Sequence, residues 1–122
     1  IGKYYTNRFK NYTQFLQLPE EMSWAKNVIW MYHIVLRDQL TDKRDLIMSA
    51  LKKEGIETRE GFIPFHLQEI FLQRGWTNKD DCPNSTAVSY SSFYLPTSFS
   101  ITENELDYVS TKFISIIDDV VK

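Results

Sequence analysis

His33 and His66 are the chain's two histidines, and they stand in opposite contexts. His66 follows Pro64 at a loop-to-helix junction, where the first backbone N–H groups of a helix are free to face an anionic ligand. It is the best polar candidate for a binding role, with a surface or capping histidine as the competing reading. His33 lies between Tyr32 and Ile34 in an apolar run and reads as a partly buried, hydrogen-bonded core histidine. Arg59 carries a planar donor fork suited to phosphate or carboxylate, although a strand-edge arginine is more often a solvated ion-pair partner. Trp30 and Tyr32 have faces on which a base or sugar can stack, but their alternation along an apolar segment assigns them to the core.

Other chemistries find little support. The single cysteine, Cys82, has no partner for an internal disulfide, and with two histidines there is no set of soft ligands for zinc. The four glycines are scattered rather than gathered into a phosphate loop. Ser89, Ser91 and Ser92 lie in no Gly-x-Ser-x-Gly elbow and read as surface serines. A net charge of -2 without a basic cluster excludes a nucleic-acid footprint, which needs concentrated positive charge. The longest apolar run, Val28 to Leu36, is broken by His33 and too short to span a bilayer. The first residues do not read as a signal peptide. A reducing cytoplasm is the expected compartment, and the sequons at Asn11 and Asn84 read as chance matches.

The elements that must position these residues follow from periodicity. Phe9, Tyr12, Phe15 and Leu16 predict a short amphipathic helix over residues 7–17, stopped by Pro19. Val28, Trp30, Tyr32, Ile34 and Leu36 alternate with Ile29, Met31 and Val35. That pattern predicts a strand buried on both faces and central in its sheet. Thr41 is the expected N-cap of a helix with an inward stripe of Leu46, Ile47, Ala50 and Leu51, closed by Gly55. A second strand is expected from Ile56 to Arg59, then a loop from Gly61 to Pro64, and a helix from His66 to Gln73 that Gly75 ends. Residues 77–81 read as exposed. Pro83 opens a short helix, and Leu95-Pro96 closes a brief strand. Thr102 with Glu105 is a capping box for a last helix whose stripe is Leu106, Val109, Phe113, Ile116, Ile117 and Val120. With 122 residues, 43% of them hydrophobic, one α+β domain is the economical answer.

Several of these segments, in this order, resemble the C-terminal domain of the DegT/DnrJ/EryC1/StrS aminotransferases. Arg8, Tyr12 and Leu16 are similar to the family's entering helix, and Asn27-Val28 with Trp30-Met31-Tyr32 to its central strand. Leu51 through Gly55-Ile56 and Thr58-Arg59 resemble its helix-to-strand junction, Pro64-x-His66 its substrate-side loop, and Leu95-Pro96 followed by Thr102 and Glu105 completes the order. Glu60 and Gly61 depart from the proline and aromatic common in the family, and Ser92 from its glycine. These departures leave the substrate open.

The resemblance implies a small, mainly antiparallel sheet packed with helices. Residues 1–122 would be the small C-terminal domain of a fold type I enzyme whose larger domain, with the cofactor-holding lysine, precedes it. It implies pyridoxal phosphate (PLP) chemistry, an amino group moving from glutamate to the keto sugar of a nucleotide-linked deoxysugar, and a homodimer with active sites at the subunit boundary. Phe62 and His66 are implied as substrate-binding, with Arg59 as support. No catalytic or cofactor-binding residue carries over to this chain, so the isolated chain is expected to be inactive. Two alternatives remain open at this level: a dehydratase of the same family using the pyridoxamine form of the cofactor, and a stand-alone α+β interaction module.

Overall fold

The computed structural model describes residues 1–122. Nine regular elements follow in order: α1 (Gly2–Phe9), β1 (Leu16–Gln17), β2 (Tyr32–Leu36), α2 (Arg44–Lys53), β3 (Arg59–Glu60), α3 (Glu69–Gln73), α4 (Pro83–Ser91), β4 (Ser92–Leu95) and α5 (Glu103–Val120). The strands form one four-stranded sheet in the order β1-β2-β4-β3, and each neighbouring pair is antiparallel. The expected α+β architecture with a small antiparallel sheet is therefore the observed one.

Period-two alternation splits the sheet into two unlike faces. Tyr32, Ile34 and Leu36 of β2 and Phe93 and Leu95 of β4 are buried, against Tyr5 and Phe9 of α1, Ile47 and Leu51 of α2, and Phe113 and Ile117 of α5. Aromatic rings knit this core. Phe113 meets Phe9 edge-on at 5.1 Å and Phe93 at 5.9 Å, and Tyr5 lies 5.0 Å from Tyr32. The two buried tyrosines keep their hydroxyls satisfied, Tyr5 donating to the Pro96 carbonyl at 3.0 Å and Tyr32 pairing with Thr6 Oγ1 at 2.9 Å. As expected, Thr102 and Glu105 form a capping box at the start of α5, and Gly55 and Gly75 end their helices with positive φ.

Several boundaries differ from expectation, each for a physical reason. The first helix is Gly2–Phe9 rather than residues 7–17, because Leu16 and Gln17 are claimed by pairing with Leu36 and Val35 of β2. Strand β2 is interior in the sheet but starts only at Tyr32. Its partner β4 runs out at Leu95, where Pro96 has no N–H to extend the ladder, and Ile29 turns the chain with φ 47°. Val28 and Trp30 are consequently 85% and 76% exposed instead of buried.

Thr41 does not cap α2; its hydroxyl donates to the Asp38 carbonyl at 2.9 Å, closing a preceding 3-10 turn. The helix begins at Arg44, and Leu46 faces outward while Ile47 and Leu51 carry the contact. Strand β3 is Arg59–Glu60 rather than 56–59, because Ile56 is spent on the helix stop, its N–H reaching the Leu51 carbonyl. The expected helix from His66 is split: Phe65–Leu67 is a 3-10 turn, Gln68 is extended, and α3 starts at Glu69.

Candidate functional site

The sheet face turned away from the core gathers the candidate polar and aromatic side chains. Strand register sets Arg59 opposite Tyr94 and Tyr94 opposite His33, so the three form a row across β3, β4 and β2 on that face. The His33 and Tyr94 rings are 4.8 Å apart at 31°, and Phe62, on the loop after β3, brings its ring to 5.7 Å from Tyr94. Beside the row runs a cleft of about 460 Å³ between the 61–64 loop, α4 and the sheet, with Phe62, Val88 and Tyr94 among its walls.

Two buried polar atoms at this cleft, His33 Nε2 and Ser92 Oγ, have no hydrogen-bond partner. Burial lowers the His33 pKa below its ordinary value, which keeps the imidazole neutral near pH 7. The Tyr94 phenol is raised, again mainly by burial. Gly61 lies directly over Ser92: its N–H donates to the Ser92 carbonyl at 3.0 Å, and a Cβ at position 61 would collide with the Ser92 hydroxyl.

The three residues anticipated as substrate-binding are placed differently from one another. Arg59 and Phe62 converge on Tyr94 and face solvent, 82% exposed at the Arg59 side chain and 66% at Phe62. Arg59 makes a loose 3.5 Å contact with Glu57 that leaves its fork available. His66 is turned inward, only 5% exposed. Its Nε2 pairs with Thr86 Oγ1 of α4 at 2.8 Å, and its carbonyl accepts the Thr77 hydroxyl at 3.0 Å. The imidazole thus clamps the root of the loop that holds Phe62 outward, leaving Nδ1 as its remaining polar atom.

Sequence reasoning passed over Tyr94, put Ser92 at the surface, and read His33 as partly buried, which it is, but as hydrogen-bonded, whereas its Nε2 has no partner. The signal was present in the phase: His33 falls out of step with Tyr32, Ile34 and Leu36, as Ser92 and Tyr94 do with Phe93 and Leu95. What the phase did not disclose was that the second face is only half covered. The serines expected at the surface, Ser89, Ser91 and Ser92, are buried, because their small side chains sit where α4 runs into β4 against the sheet. Ser91 satisfies its hydroxyl on the Ala87 carbonyl at 2.8 Å.

No lysine of the chain is buried, and none lines this cleft. The residues present therefore do not fit a covalently held pyridoxal cofactor. What they present to solvent is the Phe62 ring and the Arg59 guanidinium beside Tyr94. No helix is long and apolar enough to cross a membrane.

Comparison with known proteins gives these features a family. Among curated proteins, the GDP-perosamine synthase of Caulobacter vibrioides is 30% identical over 96 residues, which are 79% of this chain and 24% of the relative. The fold is shared with the Helicobacter pylori aminotransferase PseC, involved in pseudoaminic acid biosynthesis, at a TM-score of 0.83 and 14% identity over 97% of this chain and 31% of that one. It is also shared with an aminotransferase from Psychrobacter cryohalolentis, at 0.85 and 14% over 99% and 33%, and with a Streptococcus pneumoniae protein solved in its PLP form, at 0.84 and 18% over 98% and 30%. The chain thus spans only about a quarter to a third of the length of these relatives. The family model for the DegT/DnrJ/EryC1/StrS aminotransferases matches residues 1–114, and this chain belongs to that family.

Proposed function

We propose that this chain is the small C-terminal domain of a PLP-dependent aminotransferase, acting in the cytoplasm as a homodimer, that moves an amino group from glutamate to a keto sugar carried on a nucleotide. Family membership supports the reaction class. The observation that carries the chain's own role is Phe62, held outward beside Arg59 on a loop whose root is clamped by His66 and Thr86.

The cofactor, when bound, supplies an electron sink for the carbon–nitrogen chemistry, and the residue that holds it belongs to a larger domain preceding this one. This chain's contribution is positioning. The Phe62 ring gives the ligand a flat apolar contact. The Arg59 guanidinium reaches an anionic oxygen with two parallel donors, and His66 contributes by fixing the loop between them. Closing that surface over the sugar excludes water from the reacting carbon.

The test uses the full-length enzyme with a nucleotide-linked keto sugar and glutamate. Phe62→Ala and Arg59→Ala are each expected to raise KM for the sugar nucleotide about tenfold, the loss of one good contact, and to leave the half-reaction with glutamate unchanged. Wild-type kinetics for the sugar nucleotide in both variants would reject this site. An enzyme that yields no aminated sugar from any nucleotide-linked keto sugar would reject the activity.

A further inference from the structure

We propose that Arg44, the first residue of α2, is a positioning residue for Phe62, its guanidinium bracing the strand edge and the helix end at which the 61–64 loop begins. This rests on the assignment of that loop to the substrate and names what holds its near end in place.

The near end of the loop has little support of its own. The strand before it, β3, is two residues long and lies at the edge of the sheet, and Gly61 has no side chain to pack. Its N–H on the Ser92 carbonyl, at 3.0 Å, continues the pairing by one bond. His66 and Thr86 secure only the far end. Short edge segments with few contacts open locally at low cost, so the outward position of Phe62 needs a further tie.

Arg44 supplies it. A cation in the first turn of a helix opposes the helix dipole, so the formation of α2 does not account for an arginine there. Its side chain is only 12% exposed, and a charge so covered needs its donors engaged. They are engaged on three elements. Nη1 donates to the Ser89 carbonyl of α4 at 3.0 Å, Nη2 lies 3.4 Å from a Glu60 carboxylate oxygen in β3, and Nε donates to Asp45 in its own helix at 2.8 Å.

The Ser89 carbonyl belongs to the last turn of α4, which passes straight into β4 and leaves it no helical N–H to accept. The same oxygen lies 3.3 Å from where a Cβ on Gly61 would stand, so the guanidinium and the start of the loop meet at one atom. Alternation turns Arg59 and Glu60 to opposite faces of β3. Holding Glu60 therefore also fixes the face on which Arg59 stands. A planar fork holds a carbonyl and a carboxylate at once, which a lysine ammonium on its flexible stem does not reproduce. Glu60 is 64% exposed, and ion pairs of that kind add little to global stability, so the consequence of the brace is local position.

The test uses the full-length enzyme with a nucleotide-linked keto sugar. Amide hydrogen exchange over residues 60–63, read by mass spectrometry, is expected to quicken severalfold in Arg44→Lys and less in Glu60→Gln, while α5 exchanges as in the wild type. Arg44→Lys is also expected to raise KM for the sugar nucleotide severalfold with little change in kcat, and to add nothing to the effect of Phe62→Ala. Wild-type exchange in either variant, equal quickening in α5, or a full added loss in the double variant would each reject the proposal. If the loop stays tight in Arg44→Lys while Phe62→Ala raises KM, the loop assignment survives and the brace falls. If the loop loosens but Phe62→Ala keeps the wild-type KM, the brace stands and the loop assignment is rejected.

Discussion

His66 and Thr86, twenty positions apart, are joined by a 2.8 Å hydrogen bond between imidazole Nε2 and the threonine Oγ1, and this contact ties the outward-facing loop to α4. Thr86 also reaches the Cys82 carbonyl at 3.2 Å within its own helix. Removing the hydroxyl leaves the buried ring nitrogen without its partner. Thr86→Val should lower stability by about 1–3 kcal/mol, read as a lower denaturant midpoint. In the full-length enzyme it should also raise KM for the sugar nucleotide more than it lowers kcat. A variant with unchanged stability would show that the clamp is dispensable.

Gly61 and Ser92 are coupled by close approach. Gly61→Ala places a methyl against the Ser92 hydroxyl and 3.3 Å from the Ser89 carbonyl, and should cost about 1–3 kcal/mol through the forced shift. Ser92→Ala alone removes a buried, unpaired hydroxyl and should be close to neutral. The double variant should recover part of the Gly61→Ala loss, because the larger obstacle is gone. Thermal unfolding of the four proteins forms the cycle, and strict additivity would show that the two positions do not meet.

The capping box gives a prediction at the other end of the domain. Thr102 Oγ1 accepts the Glu105 N–H at 3.3 Å, and the Glu105 carboxylate accepts the Thr102 N–H at 2.7 Å. Thr102→Ala should cost about 1 kcal/mol of stability, measured by urea unfolding. The hydrogen bonds from Thr102 hold the Glu105 carboxyl below its ordinary value. Its stabilising contribution is therefore present above the unfolded value near 4.5 and lost as pH falls below it. Acid titration of Glu105→Gln should show a shallower loss of stability in that range than the wild type.

His33 predicts a second, milder acid response. Desolvation holds its pKa below the ordinary 6.5. Above pH 6.5 the ring is neutral in folded and unfolded chains alike. Below it, the unfolded chain takes up a proton that the folded one resists, so stability falls with pH toward the depressed folded value. Comparing wild type with His33→Gln from pH 7.5 to pH 5.5, by denaturant midpoint, should show a difference that grows on acidification; parallel curves would contradict it.

Packing supplies the largest expected effect. Phe113 of α5 touches both Phe9 and Phe93 with its ring edge-on and is fully buried. Phe113→Ala should remove about 3–5 kcal/mol, enough to unfold a marginal domain. Retention of near-native stability by calorimetry would mean that the core collapses around the gap.

Local signals in the chain were enough for the elements that depend on neighbours in sequence. Thr102 and Glu105 announce α5 because a capping box is built from residues three apart. Gly55 and Gly75 announce helix ends because a left-handed residue is needed there. The α+β class followed from the order of such segments, and the antiparallel sheet was what the resemblance to the family implied. Partners distant in sequence decided the rest. Pro96, through the ladder it cannot extend, withdrew Val28 and Trp30 from the sheet, and Leu36 drew Leu16 out of its helix. Alternation also assigns residues to faces without saying what covers each face. Only the folded packing left one face half open, brought Arg59, Tyr94 and His33 into a row, and turned His66 inward to Thr86, because burial and hydrogen-bond satisfaction are settled by contacts that no local spacing encodes.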